Sequence, residues 1–189
     1  MKEINTIESS DSLANYRFER KFYISHTDIY QIKSLILLNP SLFSEIFHER
    51  FVNNIYFDTE SFKNYFDNID GNMDRIKIRI RWYGDCFKDI DKPVLELKIK
   101  RGLLGKKIKY ELQPFTLNND FKAQNIIDII NKSDIPEVIS SELKLVNPVL
   151  LNRYQRKYYL SADKKYRITI DTNQEFYRVG IQHNLFLNK

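Results

Sequence analysis

Four cations stand at alternate positions in Arg75-Ile76-Lys77-Ile78-Arg79-Ile80-Arg81-Trp82-Tyr83, with a large apolar residue after each. Alternation with period two is the signature of a strand, because successive side chains leave opposite faces. One face then carries Arg75, Lys77, Arg79 and Arg81. The other carries Ile76, Ile78, Ile80 and Trp82. Same-face neighbours sit about 7 Å apart. Charges this close repel, by about 4 kcal/mol per close pair at a partly wet site. An anion lying along the row relieves that repulsion, and a guanidinium offers it a planar two-point contact. On this reading, loss of Arg81 weakens anion binding but eases crowding, leaving stability unchanged or higher. The alternative is a solvated outer face, since charged residues mostly meet water.

Other stretches repeat the pattern. Tyr16 to Ile24 reads as a first strand, with Arg17, Glu19 and Lys21 on one face. A helix from a Thr27 cap to about Leu38 follows, stopped by Asn39-Pro40. A strand spans about Phe51 to Asp58, and a helical turn leads from Glu60 to the Asp70-Gly71-Asn72 turn. After the basic strand come Pro93 to Lys100, a hairpin at Gly102 to Gly105, and a return strand over Lys106 to Leu112. Helices are expected over Asp120 to Asn131 and Pro136 to Leu145. Strands follow at Val149 to Leu160 and Tyr166 to Asp171, and a short one is open around Glu175 to Val179. Arg79, Arg81, Lys98, Lys109 and Arg167 are flanked by apolar residues on both sides and Lys21 on one, while Arg156 lies between Gln155 and Lys157. A sheet closed into a barrel turns such faces inward, with its helices outside. The expected class is therefore α+β: an antiparallel β-tunnel of about seven to eight strands with helices packed outside.

Composition agrees. The 189 residues suffice for one domain, with 30 Lys and Arg against 25 acids and a formal charge of +5. That excess favours anionic ligands. The 12 Tyr and 13 Phe suit a β-rich fold. The single Cys86 excludes an intramolecular disulfide or a multi-cysteine zinc site. His26, His48 and His183 lack ligand spacing. No apolar run is long enough to span a bilayer, so the chain is expected to be soluble and cytoplasmic. Residues 1–15 read as a flexible lead-in and 16–189 as the folded domain.

Six stretches together resemble the VTC domain, the polyphosphate polymerase branch of the triphosphate tunnel metalloenzymes. They are Phe18-Glu19-Arg20-Lys21, Asn54-Ile55-Tyr56-Phe57-Asp58-Thr59, Lys77 to Gly84, Leu95-Glu96-Leu97-Lys98, Tyr154 to Tyr159 and Arg167 to Thr172. The resemblance implies an eight-stranded antiparallel tunnel gripping a triphosphate. It implies phosphate contacts from Lys21, Arg79, Arg81, Lys98, Lys109, Arg156 and Arg167, with Lys107 a rival to Lys109. Lys98 and Arg81 would be the catalytic pair. Glu19 and Glu96 would be the remaining ligands of a divalent metal, Mn or Mg, unless each only partners a neighbouring cation.

The implied activity transfers the γ-phosphate of ATP to a polyphosphate chain. The alternative is a non-catalytic polyphosphate-binding module. After Thr172 the chain offers Glu175 as its sole acid and no Ser-Lys pair, so the domain reads as C-terminally short of the family's last strand. A second copy or a partner could complete the tunnel. A nucleic-acid binder would show aromatics beside its cations, whereas Trp82 alternates away from them, so no nucleic acid is expected.

Overall fold

A computed structural model of the chain describes residues 19–102 and 104–178. The elements run α1 (Ile29–Leu37), β1 (Ser44–Asp58), α2 (Lys63–Ile69), β2 (Arg75–Tyr83), β3 (Asp89–Ile90), β4 (Val94–Arg101), β5 (Leu104–Glu111), β6 (Phe115–Thr116), α3 (Ala123–Lys132), α4 (Glu137–Leu143), β7 (Asn147–Leu160) and β8 (Arg167–Arg178). Six strands form one open sheet in the order β5-β4-β2-β1-β7-β8, and β3 pairs with β6. The expected α+β class, with an antiparallel sheet and accompanying helices, is borne out.

The chain divides into two compact units. The first holds Phe51–Tyr154 and 173–178. Its core forms on the apolar side of the alternating strands. Ile55 and Phe57 of β1, Ile76, Ile78, Ile80 and Trp82 of β2, and Leu95 and Leu97 of β4 share one buried cluster with Ile126, Ile129 and Ile130 of α3 and Ile139 and Leu143 of α4. Burial on this face fixes the register, because a one-residue slip would turn every isoleucine outward. The β4–β5 hairpin turns in two residues, with Arg101 opposite Leu104. Gly102 sits there at φ +53°, a backbone state that favours glycine.

The second unit holds 19–50 and Gln155–Thr172. Its small core is Ile36, Phe43 and Tyr159, with Ile32, Ile168 and Ile170 against it. The cap of α1 is Asp28 rather than Thr27: its Oδ1 accepts from the Tyr30 N–H at 2.6 Å. An ionised carboxylate also suits the positive end of a helix, which favours Asp28 over its neighbour.

Three expectations change. The first strand does not form over the described residues 19–24, which have no regular structure. Phe22 and Tyr23 are 79% and 95% exposed. Alternation makes a strand only where a neighbouring strand supplies ladder hydrogen bonds, and residues 19–24 are in none of the described strand pairs. Tyr16 to Phe18 lie outside them. The strand at Phe51 begins earlier, at Ser44. The last strand does not stop at Asp171 but runs to Arg178, passing through Asn173 at φ +51°. Asparagine tolerates that conformation better than most residues, so the expected strand near Glu175 is continuous with the one before it. Val179 lies outside the described residues.

Candidate functional site

The register of β1, β2, β4 and β5 assembles the polar face of the first unit. Arg79 lies opposite Tyr56 on one side and Glu96 on the other, and Glu96 lies opposite Lys109. Arg81 lies between Asn54 and Val94. Lys77, Lys98 and Lys107 stand in one line across three strands. Residues directly opposite in antiparallel pairs share a face. Arg75, Lys77, Arg79, Arg81, Lys98, Lys100, Lys107 and Lys109 therefore face the same way as Glu96 and Glu111. Like charges directly opposite destabilise a sheet, so a line of three lysines needs negative charge nearby.

Glu96 supplies part of it. It is 5% exposed. Arg79 donates from Nε and Nη2 to its Oε2, at 2.8 and 2.6 Å. The Lys107 ammonium stands 2.6 Å from Oε1, and Arg81 Nη1 is 3.7 Å from Oε2. Burial alone would push the Glu96 carboxyl up. The Lys107 hydrogen bond and the Arg79 charge outweigh it and hold the group down at about 2. Burial lowers the Lys107 ammonium, against the upward pull of Glu96. Arg79 also donates from Nη1 to the Tyr56 hydroxyl at 3.2 Å.

Arg81 is held differently. Its Nε donates to Asn54 Oδ1 at 2.8 Å and its Nη2 to the Tyr154 hydroxyl at 3.3 Å. Asn54 Nδ2 donates to Asn152 Oδ1 at 2.9 Å. These partners come from β1 and β7, and Asn54 is wholly buried.

Of the residues singled out in the sequence, Arg79, Arg81, Glu96, Lys98 and Lys109 share this face. Arg156 and Arg167 belong to the second unit. Arg156 donates from Nε and Nη2 to both oxygens of Asp171, at 2.5 and 2.6 Å. Arg167 is exposed on β8, where Arg167, Thr169 and Asp171 alternate with Ile168 and Ile170 as expected. Lys21 and Glu19, also in the second unit, are exposed and lie 3.7 Å apart. Sequence reasoning missed Asn54, Tyr56 and Tyr154 as partners of the arginines, and Asn152 as the partner of Asn54. Their signal was present, since Asn54 and Tyr56 alternate with Ile55 and Phe57.

Among the described residues no three His, Cys, Asp or Glu side chains gather into a metal-binding group. A magnesium-like ion commonly uses one or two carboxylates plus substrate phosphate oxygens. The carboxylates on this face are Glu96 and Glu111, and both oxygens of Glu96 already accept from Arg79 and Lys107.

Fold and site together define an α+β domain whose antiparallel sheet gathers cations on one face. The VTC domain model matches residues 16–188, and the chain belongs to that family. This is a family of polyphosphate polymerase type and is generally metal-dependent. No curated protein matches the chain. No helix among the described residues is long and apolar enough to cross a membrane.

Proposed function

We propose that the chain binds the phosphates of ATP and of inorganic polyphosphate on its basic face and transfers the γ-phosphate of ATP to the polyphosphate end. The observation that carries the reading is the line of Lys77, Lys98 and Lys107 beside the Arg79–Glu96 pair, with the excess of cations around it. Arg79, Arg81, Lys98 and Lys109 would hold the triphosphate from the first unit. Lys21, Arg156 and Arg167 are the candidate phosphate contacts of the second unit, taken by itself. Arg81 and Lys98 would neutralise charge on the transferring group. Catalysis of this kind is positioning plus electrostatics, with little covalent chemistry for the protein. A divalent ion, Mn or Mg, would supply further charge neutralisation when bound; Glu96 is its candidate carboxylate in the first unit and Glu19 a candidate in the second. A cytoplasmic location, where ATP is supplied, suits this role.

A second reading is a non-catalytic polyphosphate-binding module. It is favoured by Glu96, whose two oxygens already accept from Arg79 and Lys107. A cationic face grips phosphate without a metal, whereas stabilising the transferring group leans on one. We therefore expect firm binding and slow transfer. Incubating the chain with ATP and Mn or Mg, then assaying polymer, tests this. Robust synthesis by the chain alone restores a full enzyme. Binding of polyphosphate without synthesis supports the module, and no binding of either ligand overturns both.

A further inference from the structure

Three of the four arginines of the expected phosphate set, Arg79, Arg81 and Arg156, have partners of two kinds. Arg79 gives Nε and Nη2 to the Glu96 carboxylate. Arg156 gives the same two groups to the Asp171 carboxylate. Arg81 gives Nε to a neutral amide and Nη2 to a phenol, with Glu96 Oε2 beyond hydrogen-bond reach at 3.7 Å. A carboxylate orients a guanidinium and also cancels its charge. A neutral acceptor orients it and leaves the charge in place.

The orientation of Asn54 is determined by chemistry. Arginine has no acceptor, so the atom facing Arg81 Nε must be the amide oxygen. Nδ2 then meets Asn152 Oδ1. Turning the amide over would leave both buried contacts unmatched.

We propose that Asn54, oriented by Asn152, is a positioning residue that aims Arg81 along the basic face without itself neutralising it, so that Arg81 keeps more of its charge for a phosphate group than Arg79, which is bonded twice to Glu96. This rests on the reading that the face binds phosphate, and it adds how the charge is kept available.

The test compares Asn54→Asp and Asn54→Ala with the unaltered chain, reading melting temperature and the Kd for inorganic tripolyphosphate. Asn54→Asp keeps the shape and an acceptor but places an anion on Arg81. It loses the donor to Asn152 but gains an ion pair with Arg81, so it should melt above Asn54→Ala, yet bind about tenfold more weakly than the unaltered chain and with a shallower dependence on salt. Asn54→Ala removes the acceptor but leaves the charge. It should melt lower, yet bind more tightly than Asn54→Asp. The two rankings therefore cross. If affinity simply follows stability, with Asn54→Ala the weaker binder, Asn54 is only structural and the proposal is overturned. Equal binding by all three proteins also overturns it. If the unaltered chain binds no tripolyphosphate, the functional reading fails and this inference fails with it; the other two outcomes leave that reading standing.

Discussion

Lys107 Nζ stands 2.6 Å from Oε1 of Glu96, while Lys109, the residue directly opposite Glu96 in the ladder, makes no such contact among those described. The long lysine side chain reaches diagonally across the strand pair, as cross-strand neighbours on one face can. Lys107 thereby becomes the second cation on the buried carboxylate, with Arg79 the first. Glu96 in turn becomes the internal anion that lets the cations of β2, β4 and β5 share one face.

Replacing Glu96 should accordingly expose that crowding. Glu96→Gln leaves Arg79, Arg81 and Lys107 around a neutral amide. Removing one partner of a buried ion pair typically costs about 3–5 kcal/mol. We expect a melting temperature several degrees lower in the ligand-free protein. Tripolyphosphate should recover more stability in Glu96→Gln than in the unaltered chain, because the freed cations bind it better. Equal ligand-induced shifts in a thermal melt would show that Glu96 does not stand in for the anion.

Acid should act through the same carboxylate. Its pKa in the fold is about 2, below the ordinary value of 4.5. A depressed carboxyl pKa stabilises the fold above the ordinary value, and that stabilisation is lost as pH falls from 4.5 through 2. The gap corresponds to about 3 kcal/mol. Denaturant unfolding of the unaltered chain and Glu96→Gln should differ most above pH 4.5 and converge towards pH 2. A difference that stays constant across that range would assign the stabilisation elsewhere.

Arg81 corrects an expectation drawn from charge alone. The sequence pattern treats it as one of four crowding cations whose loss is harmless to stability. In the fold it is the donor to Asn54 Oδ1 and to the Tyr154 hydroxyl. Arg81→Ala orphans the buried amide, at about 1–3 kcal/mol, so the melting temperature should fall. Triphosphate affinity should fall by about 1.5–3 kcal/mol as well. Arg81→Lys should recover part of each, since an ammonium carries the charge but not the planar fork. Unchanged melting for Arg81→Ala would return Arg81 to the simple crowding picture.

Local pattern and long-range partnership were unequally legible. The β2 alternation was readable because Ile76, Ile78, Ile80 and Trp82 have to be buried together. The partners of Arg81 were not, because Asn54 and Tyr154 are 27 and 73 residues away in sequence. Only the pairing of β1 and β2 and the sheet order bring them near. That Lys107 rather than the directly opposite Lys109 reaches Glu96 is likewise a matter of side-chain reach, which periodicity does not encode. Residues 19–24 show the converse failure: they carry the alternation of a strand but join no strand of the described sheets. The bidentate pairing of Arg156 with Asp171 was half visible, since Arg167, Thr169 and Asp171 were read on one face, but not that Asp171 would take both oxygens to an arginine meant for phosphate.

Metal binding should depend on the phosphate ligand. A dication approaching Glu96 meets Arg79 and Lys107 already bonded to its oxygens and Arg81 at 3.7 Å. At the effective dielectric of a protein surface, a doubly charged ion 4 Å from one such cation is repelled by about 8 kcal/mol. One carboxylate does not offset several such terms. A triphosphate does, because it brings its own negative charge and offers phosphate oxygens as ligands. We therefore expect equilibrium dialysis of the protein with Mn²⁺ alone to show no saturable retention. With a non-hydrolysable ATP analogue present, metal and nucleotide should be retained together. Glu96→Gln should retain the nucleotide while losing most of the metal. Saturable Mn²⁺ binding to the nucleotide-free protein would mean that its carboxylates form a metal site of their own, and would remove Glu96's cationic neighbours as the reason for ordered binding.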